Sequence, residues 1–228
     1  SDETISYDNA LIATGALINR VKFDGLPLNG VHYVRTYGTS DRIREETDEP
    51  HEVVIVGGSF IGCEVAATLT GRGAHCTILM MEDEPLANAF GETAGRYFRS
   101  VLESHGVTVE GGVEVASFAA STEDEERIGS VTLKDGRTFP ADLVVLGLGA
   151  KPDTMLASKS ELTIGDSGGV ACDEQLRTSA DHVWAAGDVC EYASVIHGRR
   201  LRVEHHDHAE RQGVAAARNM LGAGADYE

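Results

Sequence analysis

A chain of 228 residues, 42% of them hydrophobic and 25% charged, can bury a core without disulfides or a structural metal, which excludes a disordered or fibrous class. Its net charge of −18 repels phosphate backbones and anionic lipid, so neither nucleic acid nor a membrane is an expected partner. No apolar run approaches the roughly 18 residues that cross a bilayer. The opening Ser1-Asp2-Glu3 is acidic where a secretory leader is basic, and it lacks Met. The expectation is a segment of a longer protein, without a signal peptide. Cys63, Cys76, Cys172 and Cys190 lie far apart and form no C-x-x-C. They point to free thiols in a reducing, cytoplasmic setting and away from a metal site.

In chain order, Tyr7 to Gly15 reads as a strand ending in a turn. Residues 51–57 (HEVVIVG) form an apolar, β-branched run, the mark of a strand buried on both faces. The turn Gly57-Gly58-Ser59-Phe60-Ile61-Gly62 follows at once. A helix is then predicted with Ile61, Val65, Ala66 and Leu69 on its inner face, ended by Gly71 and Gly73. Residues 75–80 are the next strand. After Pro85 a second helix presents Phe90, Ala94, Tyr97, Phe98, Val101 and Leu102 on one face, and Val107 to Val109 is a third strand. This βαβαβ order is the unit of a doubly wound parallel sheet. Residues 113–119, 128–134 and 137–140 then read as an antiparallel meander, with Asp135-Gly136 in its tight turn. Residues 143–149 return to a buried strand. Residues 182–190 form a strand ending in Gly187-Asp188. Glu204 to Leu221 is a helix with Ala209, Gly213, Ala217 and Met220 facing inward.

The strand–turn–helix at 51–69 carries the chemistry. In a G-x-G-x-x-G turn the first Gly makes the bend, the second lets the backbone approach a diphosphate, and the third lets helix pack on strand. Here those positions are Gly57, Ser59 and Gly62. Ser narrows the approach, although its hydroxyl is able to hydrogen-bond a phosphate oxygen. The free N–H groups of the following helix favour an anion. The template also asks for an acid about 20 residues on, for ribose hydroxyls. Either Glu82 reaches the ribose, or the acid is missing and Met80 stands in its place; a solvated surface role for Glu82 is equally open. Cys63, near the helix N-terminus, reads as a small core thiol. His205, His206 and His208 cluster without metal-ligand spacing. Arg199, Arg200 and Arg202 form the densest basic stretch, either an ordinary loop or a receiver for an acidic electron-transfer partner.

Five ordered pieces carry a family resemblance. Residues 53–69 (VVIVGGSFIGCEVAATL) closely resemble the pyridine-nucleotide segment of FAD-dependent pyridine nucleotide–disulfide oxidoreductases. Ala13-Thr14-Gly15, residues 147–152 (GLGAKP) and residues 185–188 (AAGD) agree in order. Residues 203–213 (VEHHDHAERQG) look like the closing helix of the ferredoxin-reductase and apoptosis-inducing-factor branch. The resemblance implies an α/β fold: a Rossmann-like parallel sheet with an inserted meander, flanked by pieces of an FAD-type domain. The expected bounds are 1–45 and 166–228 for the flavin pieces and 46–165 for the NAD(P)H-binding domain.

It also implies site roles. Thr14, Gly15, Gly187 and Asp188 belong to the flavin side, Asp188 facing the ribityl chain. Gly147, Gly149 and Pro152 line the nicotinamide side, and Glu64 sits near the ring edge. His206 occupies a position where relatives carry a Trp beside the flavin, and Met80 aligns with the family's ribose acid. The implied activity is hydride transfer from NADH to FAD and onward to an acceptor such as a ferredoxin, with FAD held by the full-length protein. NADH is expected over NADPH, because Met80 to Glu84 offer three anions and no cation. The alternatives are a peroxide or disulfide reductase of the same superfamily and a non-catalytic dinucleotide-binding protein. The chain contains one glycine turn of this kind. By itself it is expected to bind NADH weakly, FAD hardly at all, and to be inactive. The partly uncovered closing helix is expected to pack on the central domain, to pair with another chain in a homo-oligomer, or to be poorly ordered.

Overall fold

The computed structural model describes residues 4–48 and 51–228. In chain order the elements begin with β1 (Ala10–Ile12) and β2 (Ala16–Ile18). Next come β3 (Val31–His32), α1 (Tyr37–Glu45), β4 (Glu52–Val56), α2 (Phe60–Gly71) and β5 (His75–Leu79). Then follow α3 (Ala87–Phe90), α4 (Glu92–Ser104), β6 (Thr108–Glu110), β7 (Val115–Ala120), β8 (Ile128–Leu133), β9 (Thr138–Pro140) and β10 (Leu143–Leu146). The chain closes with β11 (Ala150–Pro152), α5 (Met155–Lys159), β12 (Val170–Cys172), β13 (Val183–Ala185), a 3₁₀ turn at Gly187–Val189, β14 (Cys190–Ser194), β15 (Arg199–Leu201) and α6 (His206–Met220). Among the described residues, no helix is long and apolar enough to cross a membrane.

The chain divides into two compact units, Ile18–Gly149 and the pair Ser1–Leu17 with Ala150–Glu228. These bounds differ from those expected at 45/46 and 165/166. Residues 18–45 join the central unit because β3 pairs with β10 and Ile43 of α1 is buried in its core. Residues 150–165 leave it because β11 pairs with β2, and Ala157 and Leu162 pack in the other core.

In the central unit, five parallel strands run in the order β3-β10-β4-β5-β6. Alternate residues of β4 feed two layers. Val53 and Ile55 pack with Cys63, Ala66, Leu69 and Leu102 of the helices. Val54 and Val56 pack with Val115, Phe118, Ile128 and Val131 of the meander β7-β8-β9. The sheet is therefore covered by helices on one face and by the meander on the other. In a doubly wound sheet both covers are helical. Two helical faces also differ from the apolar patterns. In α2 the buried residues are Gly62, Cys63, Ala66 and Leu69, while Ile61 is exposed. Small residues face the sheet because the helix lies so close to it. The second helix is split: Phe90 ends α3, Gly91 turns the chain at φ +81°, and Tyr97 and Val101 of α4 remain exposed.

In the other unit, β1 pairs in parallel with β13, and β12 pairs with β14, which pairs antiparallel with β15. The buried residues of α6 are Gln212, Ala216 and Asn219; of the expected face Ala209, Gly213, Ala217 and Met220, Ala217 is exposed and the other three are half-buried. Polar side chains turn inward because each satisfies backbone. Gln212 accepts from Gly187 N–H (2.8 Å), and Asn219 bonds Ala225 N–H, Ala225 C=O and Gln175 C=O. The apolar side of α6 is covered within its own unit, with Met220 and Ala215 against the cluster of Trp184, Val189 and Tyr192.

Ile55 is fully buried at the centre of the sheet. Its replacement by Ala is expected to lower unfolding stability by about 2–5 kcal/mol through lost transfer energy and a cavity. Urea denaturation of wild type and variant checks this.

Candidate functional site

The C-terminal ends of β4, β5 and β10 open onto a cavity of about 520 Å³ in the central unit. Gly57, Gly58, Ser59 and Phe60 form one wall; Met80 to Glu82 and Leu86 to Ala89 form a second; Gly147 to Gly149 form a third. A crevice beyond the carboxyl ends of parallel strands is where such sheets take ligands.

Three close approaches build the first wall. Gly57 has φ +110°, and a Cβ there would lie 2.5 Å from the Gly147 carbonyl oxygen. At Gly62 a Cβ would stand 2.1 Å from the Gly57 carbonyl oxygen, so only Gly lets α2 come down on the turn. At Gly58 it would meet Met80 Sδ at 2.3 Å. Ser59 is the N-cap of α2: its hydroxyl oxygen accepts from Gly62 N–H (3.3 Å). The same hydroxyl donates to the Gly147 carbonyl (3.0 Å). A hydroxyl has one proton, and in this arrangement Ser59 gives it to Gly147. Ser59 ties the turn to the end of β10, while the first N–H groups of α2 remain as donors for an anion.

The other walls are fixed by side chains that spacing did not single out. Asn19 Nδ2 donates to Leu148 C=O (3.1 Å), and Asn19 N–H to Gly149 C=O (3.0 Å). These bonds hold the Gly147–Gly149 run, where Gly149 has φ +75°. Glu82 lines the cavity half-buried, and Asn88 Nδ2 donates to its Oε1 at 2.7 Å. Met80 is buried at the floor. Asn88 was detectable only as a polar residue six positions after Glu82; the intervening turn, with Leu86 at φ +59°, is not a sequence pattern.

The remaining candidates are elsewhere. Ile61 is exposed and Gly62 buried, and neither lines the cavity. Glu64 is exposed and borders a separate groove with Arg44 and Arg72. Thr14 Oγ1 donates to Asp153 C=O (2.6 Å), and Gly15, at φ +70°, accepts from Asp153 N–H (2.9 Å). Pro152 lies half-buried in β11. Gly187 turns at φ +79° into the 3₁₀ segment that carries Asp188. Gln212 is fully buried beside this turn, and its Nε2 has no partner. His206 is 95% exposed, near Glu210. His208 instead stacks among Tyr192 and Tyr227, its Nδ1 3.2 Å from the Tyr227 hydroxyl, and burial pushes its pKa down.

Burial raises the Cys63 thiol to about 11, with the Glu64 charge adding to the effect, so it is a core thiol. The basic stretch is structural in part. Arg200 donates to Cys172 and Glu191 carbonyls, and Arg202 to the Asp188 carbonyl and Glu204, leaving Arg199 the freest of the three.

A parallel sheet, a glycine turn capped into a helix, and a crevice at the strand ends define a dinucleotide-binding class of protein. Residues 1–213 match the family model of pyridine nucleotide-disulphide oxidoreductases, and the chain belongs to that family. It is 34% identical over 97% of its length to a chloroplastic/mitochondrial monodehydroascorbate reductase of Arabidopsis thaliana, covering 45% of that protein. It is 35% identical over 97% of its length to the ferredoxin–NAD(+) reductase component of a biphenyl dioxygenase system from Paraburkholderia xenovorans, covering 52%. Among solved structures, the ferredoxin reductase for the CYP199A2 system from Rhodopseudomonas palustris superposes with a TM-score of 0.90 at 31% identity. That match takes in 98% of this chain and 54% of the other. The chain thus spans about half the length of the relatives it matches.

Ser59→Ala removes both the cap and the bond to β10. It is expected to cost about 1–2 kcal/mol, measured as a shift in the urea unfolding midpoint.

Proposed function

We propose that the protein is an NAD(P)H-dependent flavoprotein oxidoreductase that takes hydride from NADH and passes electrons to a ferredoxin-type acceptor. The observation that carries this reading is the cavity around Gly57, Gly58 and Ser59. Its wall is backbone, its floor is apolar, and the helix N-terminus supplies unspent donors. These features fit a dinucleotide. When bound, the nicotinamide supplies the hydride and the flavin accepts it.

What this chain contributes is placement. The α2 N-terminus holds the diphosphate. Glu82, aided by Asn88, takes the adenosine ribose. Gly147 and Gly149, fixed by Asn19, leave room for the nicotinamide. On the flavin side, Thr14, Gly15, Gly187, Asp188 and His206 are the candidates. The buried, unspent Nε2 of Gln212 at the Gly187 turn fits a polar ligand chain there. A ferredoxin-type acceptor is supported by relatives whose names pair them with ferredoxin. The four cysteines are buried, which weighs against a disulfide-exchange role for this part of the protein. Their free thiols support a cytoplasmic setting.

NADH is the favoured nucleotide. The strand-end loop carries Glu82, Asp83 and Glu84, which repel a 2′-phosphate dianion. Titration of NADH and NADPH at low salt is expected to give about tenfold tighter NADH binding, and added salt should narrow the gap. Equal affinities refute the preference. Gly57→Val, whose side chain would strike the Gly147 carbonyl, should abolish NADH binding in calorimetry. Unchanged affinity in a folded variant refutes the site.

A further inference from the structure

The loop between β5 and α3 is held from behind by one side chain. Arg99, on α4, keeps only 23% of its side chain exposed. Its Nε donates to Glu84 Oε2 at 2.7 Å, its Nη1 to Val109 C=O at 2.7 Å, and its Nη2 to Asp83 C=O. A weaker contact reaches Glu103 at 3.4 Å. Glu84 itself is 17% exposed, so this pair is partly withdrawn from water and screened less than a surface pair.

Backbone bonds secure the two ends of the loop, and inside it a long turn bond runs from Ala87 N–H to Glu84 C=O (3.4 Å). Gly112 N–H donates to Glu82 C=O (3.0 Å), and Leu86 N–H to Gly58 C=O (2.9 Å). Between those anchors, Asp83 and Glu84 are held by Arg99. Two glycines let the loop seat against its support. A Cβ at Gly111 would lie 2.2 Å from the Asp83 carbonyl oxygen, and one at Gly95 would lie 2.7 Å from Glu84 Cβ. Arg99 is not among the residues that line the cavity, whereas Glu82 and Asn88 are.

We propose that Arg99, through Glu84, is a positioning residue for dinucleotide discrimination. It fixes the loop so that the Glu82 carboxylate, bonded by Asn88, faces the adenosine ribose. This rests on the reading that the cavity binds a dinucleotide. Three consecutive carboxylates repel one another, and the guanidinium neutralises the one nearest the helix. Without it, Asp83 and Glu84 lose their side-chain anchor, and Glu82 keeps only its Gly112 and Asn88 bonds on a loop whose remainder is released. A ribose with a free 2′-hydroxyl then loses a fixed acceptor. A 2′-phosphate loses a fixed repulsion. The two nucleotides should therefore respond unequally, which a generally weakened scaffold does not produce.

The test is a titration of NADH and NADPH against wild type, Arg99→Met, Glu84→Gln and Glu82→Gln, with thermal unfolding recorded for each. Arg99→Met and Glu84→Gln should each weaken NADH by about tenfold, with NADPH less affected. The preference then falls toward that of Glu82→Gln. Arg99→Lys keeps the charge but cannot span Glu84 and two carbonyls, so it should fall between. Should Arg99→Met fail to fold, Glu84→Gln carries the test, since it removes only the charged partner. A lowered unfolding temperature with an unchanged NADH-to-NADPH ratio overturns the proposal. Wild-type protein that binds neither nucleotide overturns the dinucleotide reading, and this inference falls with it.

Discussion

The cavity depends on a backbone-to-backbone approach that side chains would forbid. The α2 N-terminus can reach the ends of β4 and β10 only because Gly57 and Gly62 present no Cβ where backbone carbonyls lie within 2.5 Å. That approach aims the helix field at the crevice and sets its width. Ser59 adds a hydroxyl that both caps the helix and grips β10. A position that commonly favours the smallest residue is here filled by one that fastens the turn, and the bare N–H groups are left for the ligand.

Around this point the two faces of the sheet do different work. The helical face provides bulk burial through Cys63, Ala66, Leu69 and Leu102. The meander face supplies the other half of the core. Val113 to Val115, where the chain enters the meander, also line the cavity. The insertion is thus part of the pocket wall as well as a cover.

Much of this was legible in the sequence. The βαβαβ order, the meander with its Asp135-Gly136 turn, and the glycine positions follow from apolar period, turn chemistry and spacing. Three things were not. The inner face of α6 uses Gln212 and Asn219, and no hydropathy pattern marks a polar residue as buried when its partner is a backbone group far along the chain. The support of the Gly147–Gly149 run by Asn19 joins residues more than a hundred positions apart. The unit bounds shifted because Val31–His32 is too short a strand to signal itself and gains its identity only by pairing with β10. Each of these belongs to tertiary contact, which local reading does not contain.

That last pairing has a consequence for how the chain acquires its structure. Val31 and His32 find their partners only at Val144 and Val145, after every other element of the central unit has been laid down. The neighbouring strand β4 likewise waits for β10, while β4 and β5 can meet early. On a ribosome, the leading strand must stay unpaired until nearly the whole unit has emerged. In refolding, closure of this long loop places the β10 pairings late and makes the unit a slow folder relative to its helices. The edge formed by β4 is then open in the interim, and its apolar run Val53 to Val56 is left exposed to a wrong neighbour.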